Sequence, residues 1–289
     1  MNFIKKLFSP ITWLIALIQN NFKAMVFILI VFLIFAPKSE ENFTPNNLMQ
    51  IKLVGPIMEV SEVLEQIESA TKDEQIKGIL FIVDSPGGAV APSIELAYAI
   101  KRAKEKKPVV VYAQGTIASG SYYASIWADE IVANPGSMVG SIGVIMQGAN
   151  LSGVMEKIGI KTQVVKAGKY KQIGTPDRAW EEFEINELNK VIQGTYDMFS
   201  KDVADARKLD YTKRDFYANA HIFTAEQAKE VGLVDTLGVL YDARLRLVTL
   251  SAVEKPIWNE EDKFDKFLKK ISASSAVVLH TYFPALTLR

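Results

Sequence analysis

A chain of 289 residues without one cysteine has no thiol nucleophile, no disulfide and no cysteine-rich metal site. Histidine is almost as scarce, being confined to His221 and His280. His221 precedes the helix-like Ala225-Glu226-Gln227-Ala228-Lys229-Glu230 and reads as a polar residue flanking that helix. His280, in Val277-Val278-Leu279-His280-Thr281-Tyr282, reads as a surface or interface residue of the tail. Neither is placed like the base of a histidine-dependent hydrolase. A surplus of charge is also missing: 33 basic residues meet 33 acidic ones, whereas a nucleic-acid binder would carry a basic excess.

What is present is a hydroxyl in a turn of small residues. Pro108-Val109-Val110-Val111-Tyr112-Ala113 is apolar and β-branched over strand length, and Tyr122 to Ala128 continue as a buried helix. Between them, Gly115-Thr116-Ile117-Ala118-Ser119-Gly120-Ser121 places Ser119 at a helix start, where unpaired N–H groups suit a developing oxyanion. The competing reading is plain: serine is a favoured helix N-cap. A second apolar strand, Phe81-Ile82-Val83-Asp84-Ser85, ends in Pro86-Gly87-Gly88. Paired glycines let backbone N–H groups approach a ligand, although Pro-Gly-Gly alone is more often a simple turn.

If Ser119 is a nucleophile, a lysine remains open as its base. A lysine must be neutral to take a proton, which requires burial to lower its pKa from about 10.4. Lys166, Lys169 and Lys171 cluster in a segment read as a strand, Gln163-Val164-Val165-Lys166, followed by an irregular loop through Pro176. Residue chemistry alone does not choose among the three.

Five motifs together carry a resemblance. Asp84-Ser85-Pro86-Gly87-Gly88, Ala118-Ser119-Gly120-Ser121-Tyr122-Tyr123, Val139-Gly140-Ser141-Ile142-Gly143 and Gly168-Lys169-Tyr170-Lys171 occur in order. Phe223-Thr224-Ala225-Glu226-Gln227-Ala228 with Gly232-Leu233-Val234-Asp235 follows. From about Met49 to Gly238 the chain resembles the bacterial signal peptide peptidase A family, in its short single-domain form, since no motif recurs. The resemblance implies an α/β fold of the Clp/crotonase type, built of repeated βαβ units. It implies Ser119 as nucleophile and Lys171 as general base, with Ser141 orienting the lysine and an oxyanion hole from the N–H groups of Gly88 and Gly120. Lys166 and Lys169 are then surface residues. No metal or organic cofactor is implied. Remnant signal peptides would be the substrates, the subunits would form a homo-oligomeric ring, and nucleic acid would not be a partner. One departure concerns Ala220 and His221, where the family often has Gly-Arg. Alternatives are a related Ser–Lys protease that cuts one membrane protein paired with a stomatin-type partner, and a non-enzymatic ring-forming membrane scaffold. The glycine turns also occur in acyl-CoA enzymes of crotonase type.

The N-terminus is organised differently. Ala24 to Ala36 is uninterrupted by charge and, with recruited flanking residues, predicts a transmembrane helix. The Pro37-Lys38-Ser39 junction lacks a small-x-small cleavage pattern, so the anchor is expected to be retained rather than removed as a signal peptide. Ile4, Leu7, Phe8, Ile11, Leu14 and Ile18 recur at helical spacing, as in a segment lying on membrane lipid. Lys5, Lys6 and Lys23 precede the span without acidic partners. The positive-inside bias therefore puts the N-terminus in the cytoplasm and the catalytic domain on the outer, periplasmic side of a bacterial inner membrane.

The expected organisation is an interfacial segment over 1–22, an anchor over 23–37, a linker over 38–47, a peptidase domain over 48–245 and an extension over 246–289. Within the body, strand-like and helix-like runs alternate, which predicts α/β architecture. Phe183, Leu188, Val191, Ile192, Tyr196, Phe199 and Val203 hold helical spacing and predict a long amphipathic helix packed on the sheet or on a neighbour. The tail, with apolar residues from Ala276 to Leu288, is expected to lie on a neighbouring subunit.

Overall fold

A computed structural model describes residues 20–28 and 45–259, which belong to two separate units. In the first unit, residues 20–28 form a helix, α1. Most of the expected interfacial segment, anchor and linker, His280 and the apolar tail lie outside the described residues. Among the described residues, no helix is long and apolar enough to cross a membrane.

The second unit is an α/β body. Its elements are β1 (Leu48–Val54), α2 (Ser61–Lys72), β2 (Gly78–Ser85), α3 (Val90–Lys104), β3 (Val109–Ala118), α4 (Gly120–Ser125), β4 (Glu130–Ala133) and β5 (Met138–Gly140). There follow α5 (Ser152–Lys157), α6 (Glu182–Arg207), α7 (Arg214–Tyr217), β6 (Ile222–Thr224), α8 (Ala225–Glu230), β7 (Thr236–Leu237) and α9 (Leu240–Ser251). The expected alternation is what forms. Five strands lie parallel in the order β1-β2-β3-β4-β7, while β5 pairs parallel to the far end of β3 and antiparallel to β6.

Runs such as Ile79-Leu80-Phe81-Ile82-Val83 lack polar alternation because both faces of a parallel sheet are covered. Ile79, Phe81, Val83, Val109 and Val111 share one core with Ile67 of α2, Leu96 and Ile100 of α3, and Tyr122 of α4. Leu80, Ile82, Val110 and Tyr112, one residue out of phase, share the other with Ala243 and Leu247 of α9. Each such aliphatic burial contributes about 1.5–3 kcal/mol relative to exposure, so both layers hold β2 and β3 firmly. Position 245 falls inside α9, whose packing continues to Leu247. Beyond it, Trp258 bridges in parallel to Leu48 and covers the β1 edge.

One sequence expectation meets a different outcome. Gln163-Val164-Val165-Lys166 forms no strand; Val165 is fully exposed, and a strand without a partner leaves its backbone groups unpaired. The long amphipathic helix forms as expected, as α6, with Glu184 buried at its start, Phe199, Ser200, Val203 and Ala204 buried near its end, and Ile185 and Val191 exposed.

Candidate active site

The two glycine-bearing turns follow β2 and β3, neighbours in the parallel sheet, and both emerge at carboxyl ends of strands. That is where open α/β sheets form their ligand crevices. After β2, Gly87 adopts a φ of +91°, and a Cβ there would lie 2.6 Å from the Gly120 nitrogen. Gly88 forms a parallel bridge with Ile57, whose N–H donates to the Gly87 carbonyl at 2.8 Å and whose carbonyl accepts from Ala89 N–H at 2.7 Å. Since the two residues flanking Gly88 make those bonds, the Gly88 N–H points the other way. Its nitrogen lies 3.4 Å from the position a Cβ on Gly120 would occupy. The amides of Gly88 and Gly120 are thus neighbours, and Gly120 opens α4, where an N–H has no intrahelical acceptor.

Ser119 sits between β3 and α4 with φ 54° and ψ −124°. A non-glycine residue in such a region costs on the order of 1–3 kcal/mol and persists only when its surroundings fix it. Here Ser119 N–H donates to the Gly140 carbonyl at 2.8 Å, and the Ser119 carbonyl accepts from Tyr123 N–H at 3.0 Å. The N-cap reading does not hold, because the Ser119 side chain makes no capping hydrogen bond. Ser121 ties the turn instead: its Oγ accepts from Ala118 N–H at 2.9 Å and donates to the Ser85 carbonyl at 2.6 Å. Ser85 Oγ in turn accepts from Gly87 N–H at 3.2 Å, and Asp84 Oδ1 accepts from Thr116 N–H at 2.8 Å. These polar residues knit the two turns together, and among the described residues the Ser119 hydroxyl is left uncommitted.

The hydroxyl opens on a cavity of about 80 Å³, well below the roughly 300–1,000 Å³ of a cofactor-sized site and suited to a single side chain. Gly88, Ser119 and Gly120 line it together with Ser93 and Ile94 of α3, Tyr123 of α4, Val144 and Ile145 after β5, and Thr195, Met198 and Phe199 of α6. Tyr123 packs edge-on against Phe199, with ring centroids 4.8 Å apart at 85°, and donates its hydroxyl to Asp202 Oδ2. Burial first, and the Asp202 carboxylate second, push the Tyr123 hydroxyl well above the ordinary phenol range, so it stays a neutral donor. The wall supplied by α6 escapes sequence reading: helical periodicity marks Phe199 as apolar but not as facing a turn some 80 positions earlier.

Ser119, Gly88 and Gly120 come together; Ser141 and Lys171 are not among the cavity's lining residues. Ser141 follows β5, half-buried at φ 49°, and its N–H donates to the His221 carbonyl at 2.7 Å. His221 is exposed beside β6 and tilts against Phe223. Lys171 lies on an exposed loop, where its N–H donates to the Gly168 carbonyl at 3.3 Å. Among the described residues, no cluster of histidine, aspartate and glutamate is arranged to hold a metal.

A serine held at positive φ between a parallel strand and a helix, with two glycine amides beside its hydroxyl, defines the chain as an α/β protein with a site of hydrolase type. The chain belongs to peptidase family S49, whose model matches residues 101–254. Among similar proteins, a Methanocaldococcus jannaschii protein named "Putative protease" is 44% identical over 190 residues, covering 66% of this chain and 61% of its own length. An Enterococcus faecium protein named "Putative signal peptide peptidase SppA" is 35% identical over 181 residues, covering 62% of this chain and 53% of its own. The chain thus spans only part of these relatives. Among solved structures, the 1510-N membrane-bound stomatin-specific protease superposes with a TM-score of 0.51 at 14% identity, covering 76% of this chain and all of that one. At that identity the likeness is one of fold.

Proposed function

We propose that this chain is a membrane-anchored serine endopeptidase that degrades remnant signal peptides and other apolar peptides, using Ser119 as nucleophile and Lys171 as base. The observation that carries this reading is the uncommitted Ser119 hydroxyl, fixed at positive φ beside the Gly88 and Gly120 amides. In the proposed cycle, neutral Lys171 takes the Ser119 proton as Oγ attacks the scissile carbonyl, and the two glycine N–H groups hold the oxyanion. The tetrahedral intermediate collapses by breaking the C–N bond, and Lys171 returns the proton to the departing amine. Water then attacks the acyl-enzyme, giving up a proton to Lys171, and restores the Ser119 hydroxyl. Ser141 orients the lysine. The apolar lining from Ile94, Tyr123, Met198 and Phe199 suits an apolar side chain next to the scissile bond.

Lys171 is exposed and does not line the cavity beside Ser119, which favours a dyad completed by a neighbouring copy in a homo-oligomeric ring. Ile145, Ile158 and Val165, all strongly exposed on the stretch that leads to Lys171, support an interface there. The apolar run Ala24 to Ala36 serves as the anchor, with the body on the periplasmic side of a bacterial inner membrane. The test is cleavage of an apolar signal-peptide substrate in detergent by wild type, Ser119→Ala and Lys171→Ala. Loss of turnover in both variants, with assembly intact, supports the dyad; an active Lys171→Ala removes the lysine from it.

A second reading, a protease restricted to one membrane protein, is favoured by the fold neighbour described as stomatin-specific. That protein was solved as serine-to-alanine and lysine-to-alanine variants, the latter with a substrate peptide. Trapping with Ser119→Ala distinguishes the readings: many captured apolar peptides support the first, one captured membrane protein the second.

A further inference from the structure

The loop that carries Lys171 is fastened at both ends to the first turn of α6. At one end the Tyr170 ring meets Phe183 edge-on, with centroids 5.6 Å apart, and Lys169 Nζ lies 4.3 Å over the same ring. At the other end Arg178 donates twice to Glu184, Nη2 to Oε1 at 2.6 Å and Nη1 to Oε2 at 2.7 Å. Glu184 has no exposed side-chain surface and Arg178 retains 27%. Glu184 Oε2 also accepts Glu181 N–H at 2.9 Å and so closes the helix start. Between the anchors, the Trp180 indole donates to the Thr175 carbonyl at 3.3 Å, and Leu151 N–H donates to the Pro176 carbonyl at 2.7 Å.

A buried ion pair of this kind is often no more stabilising than an apolar pair of the same volume, because desolvation offsets its attraction, and is better suited to fixing one geometry. The bidentate fork of arginine holds a carboxylate in a single orientation, which a lysine at the same position would not do. Here the geometry so fixed is that of a loop otherwise exposed, with the proposed base one residue from the Tyr170 anchor. We propose that Arg178 and Glu184 are positioning residues for the peptidase reaction: their ion pair presents Lys171, as part of a rigid loop, for proton transfer with Ser119. The inference rests on Lys171 being the base. Misplacing a reacting group by about 1 Å can cost on the order of 100-fold in rate. Other charged or titratable groups gathered at these anchors are Lys166, Lys169, Tyr170, Asp177, Glu181 and Lys190; none of them forms a second fork.

The experiment uses the full chain in detergent, comparing wild type, Arg178→Met, Glu184→Gln and Lys171→Ala. Two rates are followed: acylation of Ser119 by a small fluorophosphonate and turnover of an apolar peptide. Arg178→Met and Glu184→Gln are expected to lower kcat ten-fold or more with KM within about two-fold, the pattern of a contribution made in the transition state. Acylation of Ser119 by the fluorophosphonate should fall in step with kcat, because it draws on the same proton transfer. If Lys171→Ala is inactive while both pair variants keep wild-type kcat and labelling rate, and lose only melting temperature, the positioning role is overturned and the dyad survives. An active Lys171→Ala overturns the base assignment and the inference with it. Should Arg178→Met fail to assemble, Arg178→Lys, which keeps the charge but loses the fork, replaces it: a reduced kcat with KM unchanged supports the role, and a wild-type kcat overturns it.

Discussion

The Ser121 hydroxyl donates to the Ser85 carbonyl at 2.6 Å across 36 positions of sequence, joining the turn after β3 to the turn after β2. Ser121 and Ser85 are both fully buried, so Ser121→Ala would leave the Ser85 carbonyl and the Ala118 N–H without that partner. A loss of about 1–3 kcal/mol in unfolding free energy is expected. Activity should fall further than stability alone accounts for, because the Gly88 and Gly120 amides would lose their relative placement. Denaturant unfolding and peptide turnover on the same preparation check both parts.

Gly120→Ala should abolish turnover while Gly136→Ala has little effect. A Cβ on Gly120 would run into Ser93 Oγ and press within 3.4 Å of Gly88 N, whereas one on Gly136 meets only Asn134 Oδ1 at 3.4 Å. Fluorophosphonate labelling together with circular dichroism distinguishes a blocked oxyanion site from a misfolded chain.

Ser119→Gly should be inactive yet more stable. Glycine occupies positive φ at no steric cost, so releasing the strain at Ser119 is expected to raise unfolding free energy by about 1 kcal/mol. A lower melting temperature for Ser119→Gly than for wild type would contradict a strained nucleophile.

Enlarging the cavity should alter selectivity. Phe199→Ala removes the ring against Tyr123 and is expected to cost about 3–5 kcal/mol of stability, while shifting preference towards larger apolar side chains next to the scissile bond. Cleavage profiling of a peptide library reads the shift; an unchanged profile would separate this cavity from substrate selection.

Co-expressed Ser119→Ala and Lys171→Ala chains should regain part of the wild-type activity, because mixed rings would contain sites pairing an intact serine with an intact lysine from the neighbour. Completion of the dyad within one chain predicts no recovery.

Acid should erase the difference between wild type and Glu184→Gln. Hydrogen bonds from Arg178, first, and from the Glu181 N–H hold the Glu184 carboxyl at about 2, below its ordinary 4.5. A depressed folded-state pKa contributes stability that is complete above the ordinary carboxylate value and lost as pH falls towards 2. Unfolding curves of the two proteins should therefore converge between about pH 5 and pH 2.

Local chemistry made much of this protein readable in advance. The run Val109-Val110-Val111 reads as a strand and the spacing from Phe183 to Val203 as a helix, because periodicity is a property of neighbouring residues. The turns at Pro86-Gly87-Gly88 and Ser119-Gly120 are likewise local, which is why both could be singled out before any fold was known. Whether Ser119 caps a helix or stays uncommitted was decided only in three dimensions, by a partner for Ser121 that lies 36 residues away. The cavity wall depends on α6 crossing the end of the sheet, a packing choice that no helical pattern records. Gln163-Val164-Val165 has strand-forming side chains but finds no neighbour to bond, so β-propensity there goes unused. The placement of Lys171 outside its own chain's cavity depends on where an entire loop is anchored, through Phe183 and Glu184. Sequence therefore determined the elements and the reactive turns, whereas the tertiary structure decided what faces what, because contacts between distant segments depend on packing and not on order along the chain.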